Sequence, residues 1–205
     1  MPLLRGRRED ANVTRYRMQE KLFAIGDDFW IENEGGQRAF KVNGKVLRVR
    51  DTLALESPNG QELYSIQKKM LHVRDTMEIE GGGRKVSTVK KALVTPLRDR
   101  FSIDVEDGED MEAKGNIVDH EYKIERGGDK VAEVSRRWFR MRDTYGIEIA
   151  EGQDDALILA VTVCIDQSHT RRPGRNAAKL RGRGRRSVQR GLSLWAGRAA
   201  AAVAL

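Results

Sequence analysis

The chain has 205 residues, 39% hydrophobic and 34% charged, with a formal net charge of +7, the balance of a soluble globular protein with room for one substantial core. The positive charge belongs to the ends: residues 171–205 hold ten Lys and Arg and no acid, residues 1–17 hold five against two, and the 23 basic and 29 acidic residues of 18–170 leave that stretch at −6. This distribution argues against specific nucleic-acid binding by the central domain, because phosphate affinity comes from cations gathered on the folded surface.

Residues 1–14 carry Arg5, Arg7 and Arg8 with no apolar run behind them, so they read as a flexible extension and not as a signal peptide. From there a short phrase recurs. It appears as Ile25-Gly26-Asp27-Asp28-Phe29-Trp30-Ile31-Glu32, Val49-Arg50-Asp51-Thr52-Leu53-Ala54-Leu55-Glu56, Val73-Arg74-Asp75-Thr76-Met77-Glu78-Ile79-Glu80, Leu97-Arg98-Asp99-Arg100-Phe101-Ser102-Ile103-Asp104 and Met141-Arg142-Asp143-Thr144-Tyr145-Gly146-Ile147-Glu148. The Asp falls at 27, 51, 75 and 99, and a weaker copy stands at His120–Glu125. Repetition at this period marks an architecture built from one supersecondary unit.

Within each copy the apolar residues alternate, as in Phe23, Ile25, Phe29 and Ile31 or Leu71, Val73, Met77 and Ile79, which predicts strands with one buried face. Turn residues follow at Glu34-Gly35-Gly36, Ser57-Pro58-Asn59-Gly60, Gly81-Gly82-Gly83, Glu106-Asp107-Gly108 and Arg126-Gly127-Gly128-Asp129, all suited to tight reversal. Second strands are expected over Ala39–Val42, Leu63–Lys68, Val86–Lys90, Met111–Lys114 and Val131–Arg136. Six hairpins give about eleven or twelve antiparallel strands, and closing them into a barrel removes exposed edges and covers the apolar face.

A barrel that wide cannot be filled by its own side chains, since about eight strands already set that limit. The candidate filler is the segment from Asp154-Asp155-Ala156 to Asp166, apolar on all sides behind an acidic start, as a surrounded helix would be. Its β-branched residues keep a central strand as the competing reading, and the absence of a following turn favours the helix. The ten-residue apolar run Ala156–Ile165 is half of the ~20 residues needed to span a bilayer. The lone Cys164 lies inside it, excludes an intramolecular disulfide, suits a reducing cytoplasm and reads as a core residue.

Arg15-Tyr16-Arg17-Met18, Ile25-Gly26-Asp27-Asp28-Phe29-Trp30-Ile31, the Val-Arg-Asp-Thr phrases, Gly115-Asn116-Ile117-Val118-Asp119-His120-Glu121-Tyr122 and the late apolar segment together resemble the LURP-one-related (LOR) family of the tubby C-terminal-like superfamily, which also includes the phospholipid scramblases. The resemblance covers residues 15–167. It implies a mainly β, closed barrel of about twelve strands around a central hydrophobic helix near the C-terminus, with 15–170 as the barrel domain. It brings no catalytic residues to carry over. Tubby relatives bind phosphoinositide head groups through surface cations, and no motif here places that site.

Four sets of residues compete for a functional role. The recurring Asp27, Asp51, Asp75, Asp99 and Asp143 could form a carboxylate ring for a divalent cation. Their dispersal over separate hairpins of a wide barrel favours a structural part, bending or capping each strand at Arg-Asp-Thr. His72, His120 and His169 are scattered at positions expected to be polar surface and lack partners at ligand spacing, so no metal site is expected. Gly81-Gly82-Gly83 leads into a strand and not into the helix a phosphate loop needs. With no nucleophile beside a base, neither catalysis nor a cofactor is expected.

Lys68-Lys69, Lys90-Lys91 and Arg136-Arg137 end second strands, so closure would gather them on one rim, where they could hold anionic lipid head groups at the cytoplasmic face of a membrane. The plainer reading is a solvated edge with lysines that discourage strand pairing. A protein–protein or regulatory module without a small ligand is the alternative function. Residues 171–205, with Arg171-Arg172-Pro173-Gly174-Arg175 and Arg181-Gly182-Arg183-Gly184-Arg185-Arg186, read as a disordered tail for nonspecific polyanion contact. Val188, Leu192, Trp195 and Ala199 stand at helical spacing beside Arg190 and Arg198, interrupted by Gly191 and Gly197. A functional tail and the product of an altered reading frame both remain open.

Overall fold

Alternating apolar residues followed by glycine-rich turns produce the expected hairpins. The computed structural model of the chain describes residues 13–19, 28–45, 52–69, 76–92, 99–138 and 144–170. Its strands are β1 (Val13–Gln19), β2 (Phe29–Asn33), β3 (Arg38–Lys45), β4 (Thr52–Glu56), β5 (Glu62–Lys69), β6 (Thr76–Gly81), β7 (Arg84–Lys91), β8 (Asp99–Val105), β9 (Met111–Asn116), β10 (Glu121–Arg126), β11 (Asp129–Ser135) and β12 (Thr144–Ala150), and one helix, α1 (Asp155–Thr170), follows them. Each second strand predicted from the sequence lies within β3, β5, β7, β9 or β11, except that Arg136 stands just past the end of β11.

The strands close in chain order into one antiparallel barrel, with β1 seated between β12 and β2. The inward residues form continuous rows around the wall. Met77 faces Val89, Val89 faces Ile103 and Ile103 faces Met111, and all four are buried. Four hairpins share one irregularity: the register shifts between Ile31 and Glu32, Leu55 and Glu56, Ile79 and Glu80, and Ile124 and Glu125. A bulge there sharpens the local twist and helps curve the wall.

The barrel is filled by α1, which is buried without interruption from Leu157 to Gln167 and packs on β5, β6 and β7. Burial on every side, which a strand paired on two edges would not need, is what the sequence pattern of the helix provides. Asp154 caps it, with Oδ1 accepting from the Leu157 amide at 2.9 Å, so one otherwise unpaired donor of the first turn is satisfied. Tyr64 Oη donates to Asp154 Oδ2 at 2.6 Å and Tyr16 Oη to Asp155 Oδ2 at 2.7 Å. Burial, reinforced by the neighbouring carboxylate, pushes both phenol pKa values up.

Candidate functional site

Because neighbouring strands are antiparallel throughout, the odd-numbered strands all run one way, and their C-terminal ends share a rim. On this rim the chain passes from one hairpin to the next; the hairpin turns lie on the opposite one. The six cations singled out by sequence are thus brought to the same end of the barrel: Lys68 and Lys69 close β5, Lys90 and Lys91 close β7, and Arg136 and Arg137 follow β11.

The cations on this rim are not isolated charges. Lys69 pairs with Glu78 and Lys90 with Asp104, each across to the adjacent strand, while Arg137 Nε lies 3.6 Å from Glu121 Oε2. Lys91 Nζ stands 5.8 Å from the centroid of the Phe101 ring, a cation–π distance, and Lys68 and Arg136 are engaged as well. The opposite rim has a different character. Its turns contain Glu34, Glu106, Asp107, Glu109, Asp110, Glu151 and Asp154, with Arg38, Arg84 and Arg126 at the strand ends that border them, and Arg15 and Lys85 reach Glu34 and Glu106 from the strands.

Asp27, Asp51, Asp75 and Asp143 lie outside the described residues, and Asp99 is described only as the first residue of β8. His72 and residues 1–12 and 171–205 also lie outside them, and His169 falls in the last turn of α1. Among the described residues no group of three or more His, Cys, Asp or Glu is placed to hold a metal ion. No helix there is long and apolar enough to cross a membrane.

His120 departs from expectation. The sequence pattern places it on the polar surface without an acidic partner, yet it is buried, at 6% exposure, with Nε2 3.3 Å from Asp166 Oδ1. The reason is local. The link from β9 to β10 is the four-residue turn Ile117–His120, closed by His120 N donating to Ile117 O at 3.2 Å and held by Asn116, whose side chain binds the Asp119 amide and carboxylate. His120 adopts φ 53°, the left-handed region that few non-glycine residues occupy, and this turns its ring under the end of the barrel.

There the ring stacks on Tyr145, with centroids 4.2 Å apart, and Tyr145 Oη donates to Asp166. Burial first, and then the Asp166 charge, hold the phenols of Tyr145 and Tyr122 well above the usual range. A histidine, a carboxylate and a tyrosine in contact are components of acid–base chemistry. Here, however, Tyr145 is fully enclosed and its partners nearly so, so a substrate atom has no approach. The arrangement instead ties the C-terminal part of α1 to the wall at β12 and at the β9–β10 turn. A depression of about 290 Å³ lies at the other end, between Glu62, Ser65 and Glu80.

Among known proteins, a model of the LURP-one-related family matches residues 14–166. The uncharacterized protein YxjI of Bacillus subtilis (strain 168) is 30% identical over 149 residues, 73% of this chain and 90% of that protein. An X-ray structure of a protein from Arabidopsis thaliana superposes with a TM-score of 0.59 at 18% identity, covering 78% of this chain and 93% of that one. At that identity the likeness concerns the fold alone.

Proposed function

This chain belongs to the LURP-one-related family, and on that premise we propose that it is a non-catalytic binding module for anionic phospholipid head groups, acting peripherally at the cytoplasmic face of a membrane. The observation that carries the reading is the common rim of Lys68, Lys69, Lys90, Lys91, Arg136 and Arg137. The helix occupies the barrel interior, so recognition belongs on the outside. The carboxylates of the opposite turns favour approach to an anionic surface by the basic end. The basic residues of 171–205 add nonspecific attraction to the same polyanions.

Ion pairing at this rim supports a second reading. A mosaic of paired cations and carboxylates suits the polar periphery of a protein–protein interface as well as a head-group site. Flotation with vesicles containing phosphatidylserine separates the two. The barrel alone, residues 15–170, should float as the full chain does, and charge reversal of Lys68, Lys69, Lys90 and Lys91 should abolish flotation while thermal unfolding stays cooperative. Flotation by the full chain alone would assign binding to the tail, and flotation indifferent to the reversal would reject the rim.

A further inference from the structure

Among the described residues, the large apolar side chains left exposed are Val118, at 43%, and Trp138, at 39%. They lie beyond the same end of one strand pair. The β10–β11 ladder ends with Tyr122 opposite Val134, Val118 lies four residues before the one and Trp138 four residues after the other, and both emerge on the rim that carries the cations. One carboxylate ties the two exits together: Glu121 accepts from Ser135 Oγ at 3.0 Å and from the Arg136 amide at 3.1 Å. Val118 is further fixed by its turn, in which Ile117 and His120 point into the barrel and leave Val118 and Asp119 outside.

We propose that Val118 and Trp138, presented together with Arg137, form a preorganised apolar wedge that enters the interfacial layer of an anionic bilayer. The inference rests on the lipid reading above and adds to it the sector of rim that touches the membrane. Three properties of the place select a bilayer as occupant. Tryptophan is the side chain best matched to the head-group level, where an apolar body and a polar N–H are both accommodated. The Arg137 side chain is 84% exposed and, among the described residues, makes a long contact to Glu121, so its guanidinium is available to lipid phosphate. The carboxylate-bearing turns at the far rim disfavour the reverse orientation on a negative surface. Because the Val118 turn is held by Asn116 and the chain before Trp138 is held through Ser135 and Arg136 by Glu121, less conformational freedom is lost on insertion.

The test uses the full chain labelled with an environment-sensitive fluorophore at Val118→Cys, and separately at Asn59→Cys in the β4–β5 turn of the opposite rim. The native Cys164 is fully buried and stays unlabelled. With vesicles of equimolar phosphatidylcholine and phosphatidylserine, emission at position 118 should shift to the blue and that at position 59 should not; phosphatidylcholine alone should shift neither. Val118→Asp with Trp138→Asp should weaken vesicle binding about tenfold at an unchanged melting temperature. Flotation of the chain while label 118 remains in water would overturn the wedge and leave the rim reading standing. Failure to float at all would remove both. A shift at 118 that needs only a higher protein concentration, without lipid, would assign the patch to a second copy of the chain and overturn the proposal.

Discussion

His120 stands where the recurring phrase has its Asp: aligned on Leu55-Glu56 and Ile124-Glu125, it corresponds to Asp51. The exchange replaces a carboxylate by an imidazole at a position 3.3 Å from the buried carboxylate of Asp166, where a second negative charge would repel it. Tyr145→Phe removes the hydroxyl that donates to Asp166 and should cost about 1–3 kcal/mol in urea unfolding, the range for leaving a buried acceptor short of its donor; a smaller loss would show that Asp166 is satisfied otherwise. Gly115 makes a different demand, with φ 146° and a Cβ position only 2.5 Å from Glu121 O. Gly115→Ala should therefore destabilise by more than about 2 kcal/mol, through strain in the β9–β10 pair, with the midpoint of chemical denaturation as the measure. The sequence pattern revealed where strands and turns fall, because both follow from neighbours a few residues apart. The His120–Tyr145–Asp166 contact was not legible, since it joins residues 21 to 46 positions apart through the register of a closed wall. The substitution of His for the repeated Asp was the one signal that pointed to it.

At the scale of elements, the helix is secured at both ends by polar contacts and in between by its apolar surface. Asp154 serves two purposes, capping the Leu157 amide and accepting from Tyr64. Asp154→Ala should lower stability by about 1–2 kcal/mol through the lost cap, and Tyr64→Phe in that background should add little, because the partner is already gone. Additive losses in this double-mutant cycle would mean that the tyrosine and the cap act independently. The acidic start and all-round apolar character of 154–166 foretold this element despite its β-branched residues, whose weak helix preference is outweighed by enclosure. The bulges were harder to read. The joint expected at Arg-Asp-Thr falls largely outside the described residues; among the described residues, register shifts occur at the other end of the phrase, at the Glu before each turn. Period-two patterning shows which face is apolar but not where an extra residue is accommodated.

For the whole molecule, the closed wall and the helix that fills it share one buried core, so the barrel is expected to unfold as a unit. All four tyrosines of the chain have raised pKa values in the folded state, with burial the largest cause in each. In the unfolded chain they ionise near the usual pKa of about 10. Their neutral forms therefore impose no loss below that pH, and as pH rises above it the unfolded state releases protons that the native state keeps, so stability falls. Phenolate absorbance should stay absent until the barrel unfolds, and the two transitions should coincide. Gradual ionisation of a still-folded barrel would contradict it. The antiparallel order and the need for a filler were legible from strand count alone; the charge asymmetry between the rims emerged only once strand direction had assigned each turn to an end.

The seam between β1 and β12 has a consequence for the order in which this protein can be made. Val13 pairs with Ala150 and Gln19 with Thr144, so the first strand to leave the ribosome must wait for the last, and the helix that covers the inner face is synthesised later still. Throughout that interval the hairpins hold apolar rows with nothing against them, a condition that invites association with other chains. Folding should accordingly be completed after synthesis, on the millisecond-to-second scale of non-local β topologies. Chains arrested before Asp155 should remain soluble only with a chaperone in attendance.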